Sequence, residues 1–400
     1  MNINIKNNYN DPELNDFEII ERKGMGHPDT LADKLAEECS RAYSNYCIEN
    51  FGCVLHHNFD KLYIGAGCFR YENGQTNMYD KVKVYLNGRA SNTMNGKTID
   101  IDSIVRPVIK KYLNSVMPRL DVEKEVEIHC NCTQNTKIKN WFSPDNINDV
   151  PDATNVFAND TSVCVSHFPP TFCEDLVMKI EQFFWKYEDN YPTPRFKDIG
   201  QDIKVMLSRI NNDITISICI PVYLDCFNTK EEYENIVKKY EYAITEFANK
   251  FNTNKYNITV GVNKLCNKDF RMYSLIKGSC IECGEEGVVG RGNNSQGLIP
   301  VFRSHTMEAP SGKNERYHTG RVLSFLSEKA IERIANELNL KGSIYVLTRN
   351  GNDLLNPFLC YISIDKEITK DQEEQINMIL NEEFNKENYL PRILAKRKMV

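Results

Sequence analysis

The sequence predicts an α/β (α+β) protein in which helices pack on mixed β-sheets, and three observations support this fold class. Short segments that alternate polar and apolar residues are interspersed with longer segments of helical period along the whole 400-residue chain. The spacing between these segments is not that of a repeating βαβ unit, and no GxGxxG motif of a dinucleotide-binding fold occurs. Hydrophobic residues make up 41% of the chain and charged residues 26%, as in ordinary globular proteins.

Individual elements can be assigned in chain order from these periods. Helical periodicity predicts helices at 28–50, 102–116, 171–187, 229–250, 319–339 and 369–384. Period-two alternation predicts half-buried strands at 81–86, 213–218, 257–262, 343–347 and 359–364. Residues 1–16 are polar and predicted to form an N-terminal tail before one unit over 17–400. Because 400 residues exceed what one core usually serves, we expect subdomains, with seams near the proline-containing stretches 141–154 and 187–200.

Bulk composition argues against several classes of partner. The net charge is −6 and the one basic run is Lys396-Arg397-Lys398, so we expect no broad nucleic-acid surface. The sequence contains no run of 18 apolar residues, so we predict no membrane span. The N-terminus lacks the apolar core of a secretory signal, and both observations favour a cytoplasmic location. The 14 cysteines include one CxxC (Cys280, Cys283), without the second pair that a zinc site normally needs. We interpret them as reduced thiols that serve as small hydrophobic residues.

The segment from residue 284 to residue 320 carries the strongest functional signal. It reads GEEGVVGRGNNSQGLIP followed by VFRSHTMEAPSGKNERYHTG, and a predicted helix begins near its end. Glycines let the backbone approach a ligand closely, and acids and bases among them suit a ligand made of phosphates and metal. Lys313 in SGKN lacks the upstream glycine of a Walker A loop, so a P-loop is excluded.

A second signal lies at the start of the first predicted helix, in the sequence GMGHPDTLAD. Pro28 suits the first turn of a helix, which leaves His27 at the helix mouth, where backbone N–H groups and the helix dipole favour anions. The alternative is that His27 is incidental and Asp29 only complements the helix dipole.

Weaker clusters have ordinary structural interpretations beside the functional ones. Adjacent His56 and His57 would point to opposite faces of a strand and could not bind one metal as a simple pair. Asp60 and Lys61 are either site residues or a surface ion pair. The cluster from Asn159 to Ser162 is typical of a turn. Asp202 and Lys204 would share one strand face, as a salt bridge or a solvated edge.

Taken together and in order, these motifs resemble the archaeal-type S-adenosylmethionine synthetase (methionine adenosyltransferase). The segments that carry the resemblance are GMGHPDTLAD, LHHNFDK, NGRAS at 87–91, ANDTS at 158–162, DIKVM at 202–206, GEEGVVGRGN, and MEAPSGKN ending in HTGR. The resemblance spans about residues 17–365 and implies a fold of three similar α/β subdomains around a pseudo-threefold axis. It also implies a homodimer with active sites between flat sheets. Methionine sulfur would attack C5′ of ATP and release triphosphate, which is then hydrolysed to phosphate and pyrophosphate, with Mg²⁺ and often K⁺ assisting.

The demands of this reaction agree with the residue types. A thioether carries no proton to remove, so catalysis must come from alignment and from stabilising charge on triphosphate. By resemblance, His27 would donate to the leaving oxygen, Asp29 would hold Mg²⁺ together with Glu285 and Glu286, and Lys313 and Arg291 would neutralise the phosphate chain. The cofactor-binding positions that the resemblance implies are Gly26, Asp60, Lys61, Thr133, Gln134, Asn135, Thr136, Asn159, Asp160, Asp202, Lys204, Gly290, Gly292, Asn293, Glu308, Gly312 and His318.

Several positions depart from the family pattern. Relatives have a Gly-Gln-Gly-Ser loop for ATP where this chain reads Thr133-Gln134-Asn135-Thr136, with both glycines gone. Glu285 stands where relatives carry Asp, Glu315 stands for Pro and Asn294 for Arg. These changes leave three alternatives open, which are a methionine adenosyltransferase, a non-catalytic or weakly active nucleotide-binding partner subunit, and an enzyme that uses a methionine analogue.

Overall fold

The computed structural model of the chain describes residues 1–133, 142–150, 156–264, 272–385, 387 and 389–395. The helices in these ranges are α1 (Pro28–Phe51), α2 (Ile101–Val116), α3 (Val122–Glu125), α4 (Phe172–Gln182), α5 (Lys230–Phe251), α6 (Thr319–Leu338), α7 (Lys370–Glu383) and α8 (Tyr389–Leu394).

The strands of the described ranges, in chain order, are β1 (Ile3–Asn7), β2 (Phe17–Lys23), β3 (His57–Asn58), β4 (Tyr63–Gly65), β5 (Cys68–Glu72), β6 (Gln75–Asp80), β7 (Val82–Ala90), β8 (Thr93–Met94), β9 (Lys97–Thr98), β10 (Val126–Thr133), β11 (Val163–Phe168), β12 (Trp185–Glu188), β13 (Tyr191–Pro194), β14 (Lys204–Ile210), β15 (Asp213–Cys219), β16 (Val222–Tyr223), β17 (Asn257–Val262), β18 (Ser274–Leu275), β19 (Gly287–Val288), β20 (Ile299–Pro300), β21 (Gly342–Leu347) and β22 (Leu359–Ile364).

Three sheets of four or five strands organise these elements. Sheet I has the order β10-β7-β4-β19, with β3 also paired to β7, and sheet II has the order β17-β15-β14-β2-β20. Sheet III has the order β1-β22-β21-β11. Each sheet takes strands from distant parts of the chain and mixes parallel with antiparallel pairs, as in the parallel β1–β22 and antiparallel β11–β21 pairs of sheet III. The predicted α/β architecture of helices on mixed sheets is therefore confirmed.

Each sheet is covered by a pair of helices. Helices α1 and α2 pack together and against sheet I, α4 and α5 pack against sheet II, and α6 packs against sheet III and against α7. One hydrophobic core joins sheets I and II, with Leu35, Val84 and Val205 fully buried in it. A second core lies between sheet III and its helices and includes Leu326 and Ile362. The division of the chain into subdomains with seams near 141–154 and 187–200 remains a prediction.

The predicted helix over 171–187 is too long, because α4 ends at Gln182. Its start follows from a capping box in which Thr171 and Glu174 satisfy each other's backbone N–H groups. Beyond it, β12 and β13 form a hairpin whose turn residues Asp189 and Asn190 have φ of 48° and 64°. Asp and Asn tolerate this left-handed conformation and favour tight hairpin turns, so local turn chemistry overrides the helical period.

The predicted tail over residues 1–16 contains β1, an edge strand paired in parallel with β22. Ile3 and Ile5 lie on one face of β1 and pack against the core beneath sheet III, and the surrounding asparagines concealed this short alternation. No helix among the described residues has the length and apolar character needed to cross a membrane.

Candidate active site

His27 forms the N-cap of helix α1. Its backbone is extended (φ −64°, ψ 137°), and its Nδ1 accepts a hydrogen bond from the Asp29 backbone N–H at 3.2 Å. Since Nδ1 is an acceptor, the ring proton of the neutral imidazole lies on Nε2. Burial, together with the nearby Lys23 ammonium, lowers the pKa of His27 to about 4. The geometry therefore gives His27 one fixed, uncharged N–H donor near neutral pH.

Lys23 and Asp29 form an ion pair beside this cap. The Lys23 ammonium lies at the end of β2 and donates to Asp29 Oδ2 at 3.0 Å and to the Arg291 carbonyl at 2.6 Å. The other Asp29 oxygen accepts from the Val288 backbone N–H at 3.0 Å. A lysine and an aspartate at the helix mouth thus bind the backbone of the glycine-rich segment.

Asp33, one turn after Asp29 on α1, fixes the same segment. Its Oδ1 accepts from the Gly290 backbone N–H at 2.7 Å, and burial raises its pKa to about 7. A Cβ at Gly292 would lie 2.1 Å from Asp33 Oδ2, and a Cβ at Gly287 would lie 2.2 Å from the Pro28 carbonyl oxygen. Gly287 is required because its backbone packs directly on the first turn of α1, whereas a side chain at Gly292 would displace the Asp33 carboxylate.

A second histidine-capped helix lies at the end of the glycine-rich segment. His318 caps α6, and its Nδ1 accepts from the Gly320 backbone N–H at 3.2 Å. Burial and then the nearby Lys313 ammonium lower its pKa to about 3. Lys313 donates to Glu308 Oε2 at 2.7 Å, while Ser162 donates to Glu308 Oε1 at 2.7 Å. This arrangement repeats the one at α1, with a neutral capping histidine beside a lysine that is paired with a carboxylate.

Other predicted residues surround the second cap. The Asn159 side chain accepts from the Thr319 backbone N–H at 2.9 Å and so closes the first turn of α6. The Asp60 and Lys61 side chains form an ion pair at 2.7 Å, and the Lys61 side chain is 69% exposed. Both act electrostatically on His318. A Cβ at Gly290 would lie 3.5 Å from Ala309 Cβ, so the segment folds back and brings residues 290 and 309 into contact.

A third cluster lies at the start of the glycine-rich segment. Asp202 is buried and its Oδ2 accepts from the Cys280 backbone N–H at 2.9 Å. The Asp202 carboxylate, the Cys280 thiol and the Glu285 carboxylate have ligand atoms that all lie within 4.8 Å of one another. Burial raises the pKa of Asp202 to about 7. The sequence-based pairing of Asp202 with Lys204 is wrong, because Lys204 pairs with Glu21 on the neighbouring strand at 2.8 Å and Asp202 precedes β14.

The remaining predicted residues lie in less specific positions. Asp160 Oδ1 accepts from the adjacent Thr161 N–H at 2.7 Å, as in an ordinary turn. Thr133 is the exposed last residue of β10, opposite Arg89. Gly26 packs against the Gln201 backbone, and its carbonyl accepts from Ser279 at 2.6 Å.

Further positions complete the account of the predicted residues. Glu286 accepts a hydrogen bond from Tyr63, which raises the pKa of Tyr63 to about 12. Asn293 exchanges two hydrogen bonds with the Lys23 backbone at 2.8 and 2.9 Å. The Gly312 carbonyl accepts from the Phe59 N–H at 2.7 Å. Gln134, Asn135 and Thr136 lie outside the described residues.

Glu315 lies in a fully buried polar network. Its carboxylate accepts from Ser40 at 2.9 Å and from Ser44 at 2.6 Å, and lies 3.4 Å from His57 Nε2. These contacts hold the pKa of Glu315 at about 2 in spite of its burial. His57 thus engages Ser40 and Glu315 inside the core, whereas the adjacent His56 ring stacks on Tyr317.

Sequence reasoning missed Lys23, Asp33 and Cys280 as members of these clusters. Asp33 follows Asp29 by four residues on a helix, and this spacing places both carboxylates on one face, so the signal was present. Lys23 and Cys280 carry no such signal, because strand pairing and long-range loop packing bring them into place.

A comparison with known protein families identifies one match. A family model described as S-adenosylmethionine synthetase (AdoMet synthetase) matches residues 1–398. A protein of Streptococcus pyogenes serotype M3, described as uncharacterized, is 38% identical over 388 residues, which are 96% of this chain and 94% of that protein.

Archaeal relatives carry the name of an activity. An S-adenosylmethionine synthase of Methanospirillum hungatei is 31% identical over 351 residues, covering 87% of this chain and 85% of that enzyme. An S-adenosylmethionine synthase of Caldivirga maquilingensis is 29% identical over 393 residues, covering 95% of this chain and 94% of that enzyme. Among solved structures, that of an unusual S-adenosylmethionine synthetase from Campylobacter jejuni matches with a TM-score of 0.55 at 13% identity, covering 96% of this chain and 94% of that chain. The structural likeness shows the fold.

Proposed function

This chain belongs to the S-adenosylmethionine synthetase family of transferases, and we propose that it makes S-adenosylmethionine from ATP and L-methionine. Methionine sulfur would attack C5′ of ATP, and the triphosphate released would then be hydrolysed to phosphate and pyrophosphate. The observation that carries the proposal is the pair of histidine-capped helix N-termini, at His27 and His318, each beside a lysine and both beside one glycine-rich segment. Helix N-termini and lysines are the groups that bind polyphosphates in proteins.

The reaction needs little acid–base chemistry from the protein. The sulfur lone pair forms the new S–C5′ bond while the C5′–O bond breaks, and the electron pair of that bond goes to the triphosphate. The barrier then depends on in-line alignment and on stabilising the new negative charge. In this proposal, His27 Nε2–H donates to the leaving oxygen, since its Nδ1 is already engaged with the helix.

Lys313 and Arg291 would take the phosphate chain, with Lys204 as a further cation. Lys313 is held by Glu308, so its ammonium is positioned before a ligand arrives. Lys204 is held in the same way by Glu21 and acts electrostatically on His27. The Arg291 side chain is exposed on the glycine-rich segment and has no ion-pair partner within the described part of the chain.

Magnesium would enter with ATP as part of the substrate. Mg²⁺ in nucleotide sites takes one or two protein carboxylates and several phosphate oxygens or waters. Asp29 fits this demand, because each of its oxygens makes one hydrogen bond and retains further lone-pair capacity. Glu286, which is exposed beside β19, is a second candidate Mg²⁺ ligand. Binding of K⁺ is expected only from the resemblance to the family. The metal would supply charge neutralisation on the phosphates, while the chain's own residues hold and orient it.

A homodimer with active sites between flat sheets is part of the proposal. The face of sheet I opposite the buried Val84 carries stacked rings, with Tyr63 and Tyr85 centroids 5.9 Å apart and Tyr85 and His129 centroids 4.8 Å apart. Aromatic side chains on an open sheet face suit a protein–protein contact. Sedimentation analysis of the purified protein with a Tyr85→Asp variant tests this part, and a wild-type protein that stays monomeric would contradict it.

A second candidate is a nucleotide-binding partner subunit with little or no catalytic activity. Thr133 continues a regular strand at the position where relatives carry a glycine of the ATP loop, and this difference favours the second candidate. The intact His27, Asp29, Arg291 and Lys313 favour the enzyme. Use of a methionine analogue in place of methionine is the third possibility.

Product analysis separates these candidates. Purified protein is incubated with ATP, MgCl₂ and L-methionine, and S-adenosylmethionine and the phosphate products are quantified by mass spectrometry. Formation of S-adenosylmethionine with one phosphate and one pyrophosphate per turnover supports the enzyme. Bound ATP without product supports the partner subunit, and product from an analogue alone supports the third possibility.

A further inference from the structure

A cavity of about 360 Å³ is lined by residues of helices α1, α4 and α6 and of the glycine-rich segment, and we call it the three-helix cavity. Its walls include Lys34 and Glu37 of α1, Met178 of α4, Arg321 of α6 and residues 293–298. Small-molecule sites in proteins have volumes of roughly 300–1,000 Å³, so a small ligand would fit. Of the described residues assigned to the nucleotide site, only Asn293 lines this cavity. The cavity therefore lies apart from the groups proposed to hold phosphate and Mg²⁺.

The Lys34 ammonium on the α1 wall has no hydrogen-bond or ion-pair partner in the described part of the chain. Burial, and then the nearby Arg22 guanidinium, lower the pKa of Lys34. The carboxylates that act on it electrostatically are those of Glu37, Asp33 and Glu181. A partly buried ammonium costs free energy unless a negative group compensates it, so the partners of these three carboxylates matter.

All three carboxylates are already engaged by other groups. Glu181 pairs with Arg22 at 3.0 Å, and Glu37 pairs with Arg321 across the cavity wall. The Asp33 carboxylate accepts at 2.7 Å from a backbone N–H of the glycine-rich segment. The ammonium is therefore left as a positive group that its neighbours do not neutralise through a direct contact.

Two buried atoms beside this ammonium also lack a hydrogen-bond partner among the residues described. They are Glu37 Oε2, which is an acceptor, and Arg321 Nε, which is a donor. The pair between these side chains uses Glu37 Oε1 and a terminal nitrogen of Arg321, so it leaves both atoms over. The last torsion of a glutamate is soft, so a small rotation would present Oε2 to the cavity. Lys34 and Glu37, three residues apart on one helix face, thus offer an unmatched donor and an unmatched acceptor.

We propose that the three-helix cavity binds a free α-amino acid with an apolar side chain. The Lys34 ammonium would bind the carboxylate of the ligand, and the Glu37 carboxylate would bind its ammonium. Met25, Met178 and Leu298 line the same cavity and would contact the apolar side chain. This inference goes beyond the proposed transferase activity and does not depend on it.

The charges of the lining favour a zwitterion over ligands of one sign. A phosphate group carries about −1.5 to −2 charge at pH 7, and the acids Glu37, Glu328 and Glu332, which all line the cavity, would repel it. An amine or a metal cation would meet the Lys34 ammonium as a like charge. An amino acid presents one charge of each sign a few ångströms apart, so it can satisfy Lys34 and Glu37 together.

Calorimetric titration of the full-length protein with L-leucine as the probe tests the proposal. We expect one L-leucine to bind per chain, and to bind also when ATP and MgCl₂ are saturating, because the cavity lies apart from the nucleotide site. Two analogues of the same size separate the charges. 4-Methylvalerate lacks the ammonium and 3-methylbutylamine lacks the carboxylate, so each should bind about tenfold or more weakly than L-leucine.

Variants of the α1 wall assign the contacts. Lys34→Met keeps the length of the side chain and removes its charge, so it should weaken L-leucine binding by about tenfold or more. It should not lower stability in denaturant titrations, because it removes a partly buried charge without a direct partner. Glu37→Gln should abolish the preference for L-leucine over 4-methylvalerate. Lys238→Met is the matched control, because Lys238 is exposed on α5 and does not line the cavity.

The outcomes that overturn the inference are distinct from any failure of the transferase. Absence of L-leucine binding to the wild-type protein would refute it, as would equal binding of 4-methylvalerate. Binding that persists unchanged in Lys34→Met would place the ligand elsewhere, for example at the substrate site, and an equal loss in Lys238→Met would show that the effect is not local. Because the readout is binding, each result holds whether or not the protein makes S-adenosylmethionine.

Discussion

Replacing His27 tests whether the capping histidine takes part in the chemistry or only in folding. His27→Ala removes both the cap and the ring, whereas His27→Asn removes the ring and keeps a side-chain oxygen that can accept from the Asp29 N–H. Loss of the cap in the alanine variant should lower the free energy of unfolding by about 1 kcal/mol. The asparagine variant should lose no more than a few tenths of that amount, so the pair separates stability from catalysis.

The catalytic effect can be estimated from the proposed role. Removing one fixed donor to a developing negative charge costs about 3 kcal/mol in activation free energy, which corresponds to a kcat lower by about 10²–10³. Both variants should show this loss, with ATP affinity changed little, because the ring donates to an oxygen that becomes more negative only as the C5′–O bond breaks.

The protonation state of His27 sharpens the prediction. With a pKa of about 4, compared with an ordinary value of 6.5, only about one imidazole in a thousand is charged at pH 7. A neutral N–H donor does not titrate between pH 6 and 8, so the ratio of wild-type to His27→Asn kcat should stay constant over this range. A charged imidazolium would instead make the ratio fall as the pH rises through 6.5.

Kinetics at saturating ATP and methionine, together with circular dichroism and chemical unfolding of each variant, check these expectations. If His27→Asn unfolds like the wild type and turns over at the wild-type rate, the donor role is wrong. A ratio that declines steeply from pH 6 to 8 would show that the active form is the imidazolium.

Three further outcomes test the structure around the site. Glu315→Ala should lower the free energy of unfolding by about 3 kcal/mol in denaturant titrations, because it leaves the buried Ser44 hydroxyl without its acceptor and removes the carboxylate beside the buried His57 imidazole; a loss below 1 kcal/mol would mean that the network rearranges freely. Gly292→Ala should displace Asp33 and reduce activity at least tenfold, whereas the control Gly351→Ala, which has open space around it, should cost only about 1 kcal/mol of stability. Stability should fall as the pH is lowered from 6.5 towards 4, because unfolding frees four histidines with lowered pKa to bind protons, while Asp33 and Asp202, raised to about 7, release one each. Protons released by Glu18 and Glu282, whose pKa burial also raises, are offset by uptake at Glu174, Glu308 and Glu315, whose pKa is lowered in the folded protein. The net uptake of about two protons corresponds to on the order of 2–3 kcal/mol per pH unit near pH 5, and a thermal-denaturation midpoint that is flat or rises on acidification would contradict this balance.

Much of the fold could be predicted from the sequence, because periodicity reports which face of an element is buried. The boundaries of α1, α2 and α5 lie within one residue of the predicted ones. The prediction failed for α4, where a hairpin turn at Asp189 and Asn190 interrupts an amphipathic pattern. It also missed β1, a short edge strand among asparagines that pairs with one neighbour and packs Ile3 and Ile5 against the second core. The first failure occurs where hydrogen bonding in a turn, rather than apolar burial, decides the structure, and the second where two isoleucines are too few to stand out in a polar segment.

The site was predictable only as a set of separate loops. The glycine-rich segment and the helix mouth at His27 each have a local signature, and the structure places them in direct contact through Asp29, Asp33 and the loop backbone. Lys23 joins them because β2 ends there, and Asp202 meets Cys280 across 78 residues of chain. No local pattern encodes such contacts, since they arise from the packing of one sheet edge against a loop.

The charge arrangement explains how an acidic protein can bind a polyanion. Three site lysines each pair with a carboxylate, as in Lys23–Asp29, Lys204–Glu21 and Lys313–Glu308. Such pairs keep the site nearly neutral and the ammonium groups in place, so no basic surface patch is needed and the net charge can be −6. A triphosphate chain that carries its own divalent cation matches this pattern, because the phosphates can take over the lysines while the cation takes over a carboxylate. Binding then exchanges one set of ion pairs for another and leaves no charge unpaired. Triphosphate without a divalent cation would leave the carboxylates unpaired, so it should be a poor ligand for these same residues.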